Sequence, residues 1–184
     1  MAARATLPHS ACEQSRRHMT EINSLSEPSL GMRIGRRVRM ALVSGFGGFL
    51  VIYILSQLSA TLGVLLLVAP FGASCVLVFA LPQSPLAQPK NVVGGHLISA
   101  FIGVAVFALL GAHPLSFALA VGLAIAAMQA TETLHPPAGA DPIVVIAAGA
   151  SWPFLVTPML AGTILIVGAA YCYHRFISQR SYPS

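Results

Sequence analysis

The stretch Thr131-Glu132-Thr133-Leu134-His135-Pro136-Pro137-Ala138-Gly139-Ala140-Asp141-Pro142 decides how this chain is read. Between Met40 and Tyr173 only Lys90, Glu132 and Asp141 carry a full charge, and two of the three fall in this window. An ionisable side chain at membrane depth is costly and faces a pathway or a partner rather than lipid. Three prolines and a glycine in the same place break the helix and free backbone groups, which is tolerable only where protein or a water-lined cavity satisfies them. Charge and broken backbone inside an apolar chain mark a site.

The chain of 184 residues is 56% hydrophobic and 8% charged. A soluble domain carries about 25% charged residues, so the composition describes an all-α, polytopic membrane helix bundle whose first partner is the lipid bilayer. The net charge of +5 does not point to nucleic acid, because the basic residues cluster at the two ends of the apolar region. Arg33, Arg36, Arg37 and Arg39 directly precede the first apolar run, which by the positive-inside rule puts that end in the cytoplasm. Residues 1–32 are expected to be a disordered cytosolic tail, 33–175 the transmembrane domain and 176–184 a cytosolic C-terminal tail. Residues 1–32 contain no apolar run of the kind a secretory signal needs. The location expected is the cell inner membrane, multi-pass, with both termini cytoplasmic. Three cysteines without ligand spacing argue against a disulfide framework and a zinc site. No metal and no cofactor is expected.

Apolar segments fall at about 40–58, 61–81, 94–112, 115–134, 138–150 and 154–173. The second carries Pro70-Phe71-Gly72-Ala73-Ser74 in its middle, and the fifth is too short to cross about 30 Å of hydrocarbon. These two interrupted segments match each other at an offset of 67 residues: Pro70 with Pro137, Gly72 with Gly139, Ser74 with Asp141, and further along Gly95 with Gly162. The spacing predicts two inverted three-segment halves, near 40–112 and 115–174, each with a Pro/Gly-broken helix. Interrupted segments at corresponding positions of two such halves point to a transporter's binding site. Four crossings plus two re-entrant segments is the competing topology.

A half-helix that starts inside the membrane offers free N–H groups and the positive end of its dipole to an anion. Ala73 to Val76 and Gly139 to Ile143 are the expected N-termini, and the substrate-binding candidates are Gly72, Ala73, Ser74, His96, His135, Pro136, Pro137, Gly139, Ala140 and Asp141. Glu132, His135 and Asp141 are the proton-relay candidates, with Glu132 and His135 three apart on one helical face. Asp141 as a plain N-cap is the simpler alternative. Gly95, Gly103 and Gly111 recur every eight residues and read as a close packing seam. His113 reads as an interfacial turn residue. The proline-rich run from Pro82 to Asn91 reads as a fixed extended loop.

Three ordered motifs carry a resemblance to a known family. Pro70-Phe71-Gly72-Ala73-Ser74, Ser84-Pro85-Leu86-Ala87-Gln88-Pro89-Lys90-Asn91-Val92-Val93-Gly94-Gly95-His96 and Leu134-His135-Pro136-Pro137-Ala138-Gly139-Ala140 resemble the signature of the HPP family of integral membrane proteins, over roughly residues 35–175. The resemblance implies about four transmembrane helices. It also implies, from plant and cyanobacterial members described as nitrite transporters, a small-anion transporter or channel with nitrite as the first substrate to consider. Some bacterial members carry appended CBS domains, which are not expected here. Asp141 departs from the family's small or neutral residue at that position, and a carboxylate beside an anion path must be protonated, paired or turned away. An intramembrane enzyme using His, Glu or Asp as acid–base groups is one alternative, and a structural or regulatory membrane subunit is another. No nucleophile–base–orienter set is legible, so no catalytic residue is assigned. A homo-oligomer is left open.

Overall fold

The computed structural model describes residues 13, 14, 16, 17 and 29–184. The expected tail at 1–32 lies for the most part outside the described residues. The chain divides into two compact units, Met1–Arg39 and Met40–Ser184. The first holds an exposed ion pair between Arg17 and Glu13 at 3.3 Å. Everything of functional interest lies in the second.

Helix α1 runs over Leu30–Leu62 and α2 over Ala69–Cys75, the latter continued by a π-helical turn at Val76–Ala80. A short 3₁₀ turn at Pro85–Ala87 leads into α3, Pro89–Leu110, which is followed by α4, Pro114–Ala130. A second 3₁₀ turn, Pro136–Ala140, leads into α5, Asp141–Ala147. The last helix, α6 at Ala161–Tyr173, is entered through irregular helical turns from Trp152 and leaves through another at His174–Ser178. Among the described residues there is no strand.

Proline sets the helix starts. Pro70, Pro89, Pro114 and Pro142 all occupy the first or second position of their helices, where the missing N–H costs nothing and the fixed φ is already helical. The run 82–91 is therefore not the continuous extended loop that its prolines predict. Pro85 and Pro89 each open a helical element, and Ser84 and Gln88 directly before them are extended. Gly111 ends α3 with φ +72°, its N–H returning to Phe107 O at 2.8 Å, as a helix C-terminus prefers. His113 is extended ahead of α4, as a turn residue should be.

Three helical stretches, Leu30–Leu62, Pro89–Leu110 and Trp152–Ser178, have the length and composition to cross a membrane. α4, with 17 residues, approaches that length at about 26 Å. The segment expected as a span over 61–81 is different. Gly63 turns with φ +64°, residues up to Val68 are not helical, and helix begins only at Ala69. Pro70 thus starts a short helix instead of interrupting a long one.

The offset of 67 residues is a structural relation. A Cβ added at Gly95 of α3 would lie 2.9 Å from the carbonyl oxygen of Thr133. The equivalent Gly162 of α6 faces the equivalent carbonyl, that of Leu66, at 3.2 Å. Further along, Tyr173 of α6 meets Phe79 with ring centroids 5.3 Å apart, and their counterparts Val106 and Ile146 share one apolar cluster. Each half lays its last helix on the broken segment of the other. Such reciprocal contacts are what a two-fold axis between the halves produces. Of the three seam glycines, Gly95 and Gly103 are in tight contact, Gly103 with Pro142 Cα at 2.8 Å, while Gly111 meets nothing within 4 Å.

Candidate functional site

The interlocking of α3 with the second broken segment brings four polar side chains into one buried row. Ser74 stands one turn into α2, and its Oγ is within 3.2 Å of Pro70 O. His96 stands two turns into α3. Its Nε2 is 2.8 Å from Ser74 Oγ, and its Nδ1 is 2.7 Å from Asp141 Oδ2. His135, extended just before the Pro136–Ala140 turn, places Nε2 2.9 Å from the same Ser74 Oγ and Nδ1 2.7 Å from Leu86 O. All four side chains are fully buried. Phe71 packs edge-on against His96 at 5.3 Å, walling one side of the row. Two further bonds hold the second broken segment to α3: Ser99 Oγ donates to Ala138 O, and Asn91 Nδ2 donates to Leu134 O at 2.9 Å.

Ser74, His96, His135 and Asp141 therefore meet as expected, but not in the roles expected of all of them. Asp141 is the first residue of α5 and makes no capping bond. Ala140 holds the N-cap position, and the carboxyl is turned to His96. Glu132 does not face His135: it lies in an exposed turn with φ +54° and pairs with Lys90 at 3.6 Å. Glu132 thus stands apart from the buried row. The two N–H nests are also absent. Ala73 to Cys75 lie inside α2, where their N–H groups serve the helix, and the Asp141 N–H returns to Ala138 O.

Gly72 and Gly139 face open space, with nothing within 4 Å of an added Cβ, so close backbone approach is not why they are small. What the broken segments do form together is an apolar cleft of about 610 Å³. It is lined by pairs related at the 67-residue offset: Pro70 and Pro137, Ala73 and Ala140, Leu77 and Val144. Pro136 lines it too, opposite Ala69.

Sequence reasoning did not find Ser99, Asn91 or the Leu86 carbonyl. Ser99 follows His96 by three residues on the same helical face, a signal that was available. A backbone carbonyl as partner leaves no trace in sequence. The C-terminal residues are a second surprise. Arg180 Nη1 reaches Phe79 O and Ala80 O at 3.4 and 3.3 Å, at the negative end of the short helix. Tyr182 is buried against the His174 ring at 5.5 Å, and its burial pushes the phenol up to about 12. Among the described residues no group of three or more His, Cys, Asp or Glu could hold a metal ion.

Long apolar helices, helix breaks at depth and a buried polar row define a polytopic helical membrane protein. The sequence profile described as HPP, transmembrane region, matches residues 35–183, and the chain belongs to that family. It is 36% identical over 152 residues to a transmembrane protein of the slime mould Dictyostelium discoideum, covering 77% of this chain and 53% of that protein. A second Dictyostelium discoideum transmembrane protein is 35% identical over 150 residues, covering 77% of this chain and 48% of its own length. The chain thus spans about half the length of the curated relatives it matches. No solved structure matches it.

Proposed function

We propose that this protein is a transporter for a small inorganic anion, with nitrite the first substrate to test. The observation that carries the reading is the meeting of two broken segments, matched at the 67-residue offset, at a buried row of ionisable side chains. Interrupted segments at equivalent positions of two halves are where secondary transporters bind their cargo. Buried ionisable groups in such a place serve a pathway. In the conformation described, the row is sealed, and the bonds between His96 and Asp141, His135 and Ser74, and His135 and Leu86 all join one half to the other. Passage requires the halves to part. An anion would then accept from the imidazole N–H groups in place of the bonds they give up. The test is flux of nitrite and other small anions into proteoliposomes, with and without a pH gradient. Uptake that is weakened by His135→Ala is expected, and no flux of any small anion by the wild-type protein would overturn the reading.

A second reading has one observation in its favour. Ser74 Oγ, His96 and Asp141 are in contact in the order of a nucleophile, base and orienting carboxylate. Against it, Ser74 lies within α2, its neighbouring N–H groups serve the helix instead of an oxyanion, and its hydroxyl has no open face. A fluorophosphonate adduct at Ser74 would establish this reading, and absence of labelling in active protein would end it.

A further inference from the structure

Counting the protons that the buried row needs leads beyond the transport reading. The row runs Asp141 Oδ2, His96 Nδ1 and Nε2, Ser74 Oγ, His135 Nε2 and Nδ1, Leu86 O. Each of its four hydrogen bonds needs one proton between its two heavy atoms. Two neutral histidines and one serine hydroxyl supply three. With Asp141 as a carboxylate the fourth is missing, and one link would set two lone pairs face to face at hydrogen-bond distance. Leu86 O only accepts, so His135 Nδ1 carries hydrogen. A neutral His135 then accepts at Nε2 from the Ser74 hydroxyl at 2.9 Å, in preference to the longer contact of that hydroxyl with Pro70 O at 3.2 Å. Giving the hydrogen to Pro70 O instead would leave the row short of one proton more. Ser74 has no second hydrogen to give, so His96 must donate through Nε2, which leaves its Nδ1 bare. The proton in the last link belongs to Asp141. A second observation places it there. Asp141 Oδ1 is buried with no hydrogen-bond partner, which is severe for half of a carboxylate and mild for the carbonyl oxygen of a neutral acid.

We propose that the row binds one proton, resting on Asp141 Oδ2 and shared with His96 Nδ1, and that this proton holds the two halves of the transmembrane domain together. With it, every donor in the row points the same way, from Asp141 toward Leu86. Without it, one of the four links must open, and three of the four join the halves. Deprotonation therefore weakens the joint between the halves. The other titratable groups on the elements packed around the row are accounted for elsewhere. Cys75 is buried in the apolar core, Lys90 and Glu132 pair with each other, and His174 is bound to Val78 O and Ser178. The proton site stands on geometry alone. Its use as the coupling ion rests on the transport reading.

The test uses the whole chain in lipid–detergent micelles and does not depend on flux. Asp141 is the one aspartate in the sequence, so infrared spectroscopy of protein labelled with carboxyl-¹³C aspartate sees this group by itself. A protonated carboxylic acid band at pH 7.5 is expected, and a carboxylate band at that pH overturns the proposal. Linkage gives a second, independent readout. Above about pH 7 the unfolded chain has lost the proton that the folded row keeps, so the folded-to-unfolded ratio should fall tenfold per pH unit. Asp141→Asn donates the same bond through its amide and has nothing to lose, so its slope should be smaller by that full factor. Equal slopes in the two proteins overturn the proposal. If Asp141→Asn does not fold, the wild-type infrared band still decides. Should the proton site hold while no anion is transported, the transport reading alone fails.

Discussion

Gly95→Ala is the sharpest perturbation the fold offers, because a single methyl group separates two accounts of why this chain is rich in small residues. A Cβ at Gly95 would stand 2.8 Å from His135 Cβ and 2.9 Å from Thr133 O. Ordinary contact begins about 0.6 Å further out, and neither neighbour is the free end of a flexible side chain. α3 must therefore move away from the second broken segment, one residue before His96 holds Asp141 at 2.7 Å. Overpacking of this kind costs about 1–3 kcal/mol, and here the shift also stretches the row. Gly72→Ala and Gly139→Ala add the same methyl where nothing lies within 4 Å. Gly72 is inside a helix, so alanine there should stabilise by up to about 1 kcal/mol. Unfolding by sodium dodecyl sulfate in mixed micelles, followed by circular dichroism, should rank Gly95→Ala well below wild type and the other two at or above it. Flux should follow the same order. If Gly139→Ala abolishes flux while remaining as stable as wild type, the backbone at Gly139 binds substrate and the assignment of the site to the buried row is wrong.

Ser99→Ala removes one of two donors to Ala138 O, which keeps the Asp141 N–H, for about 0.5–1.5 kcal/mol of lost stability in the same unfolding assay. Glu132→Gln breaks an ion pair whose side chains are 61% and 86% exposed. Such pairs are worth little, so stability and any proton-driven flux should stay at wild-type values, and a lost pH response would return Glu132 to the relay. Tyr182→Phe deletes a buried hydroxyl without a partner and should be neutral or stabilising. The folded-state phenol is raised above its ordinary value of 10 to about 12, so its contribution is fully present below pH 10 and lost as pH climbs toward 12. Denaturation between those limits should accordingly be less steep in pH for Tyr182→Phe than for wild type.

The residues that meet in the row were legible because polar chemistry is rare in this chain. With few charged or imidazole groups between Met40 and Tyr173, selecting His96, His135, Asp141 and Ser74 needed only the cost of burying them. The match between the broken segments was legible because both keep proline, glycine and a polar residue in fixed order. Roles were harder to read than membership. Glu132 and His135 sit three apart, but Thr131 and Glu132 leave the helix before His135 is reached, so the expected common face never forms. Asp141 suited an N-cap by type and position, and only the close approach of α3, allowed by Gly95 and Gly103, turned it toward His96. The N–H nests failed for a local reason: proline at the start of a helix sets the first turn earlier than the glycines suggest, which leaves Ala73 inside the helix.

The broken segments repeat in sequence, but their chemistry does not. Ser74 corresponds to Asp141, His96 to Thr163 and His135 to Val68, so the second copy of the row has a hydroxyl where the first has an imidazole, and nothing polar where His135 stands. Thr163 Oγ1 donates to Met159 O at 2.6 Å, in the turn that enters its own helix, and has no share in joining the halves. If the halves rock about their axis, the arrangement described here is held by hydrogen bonds and a proton, while its mirror would be held by apolar packing. Thr163→Val tests this asymmetry. It removes a bond within one half, so it should cost less than Ser99→Ala and leave the pH slope of stability unchanged, whereas Asp141→Asn should remove that slope. Loss of the slope in Thr163→Val would mean that both rows titrate, and the division of labour between the halves would have to be abandoned.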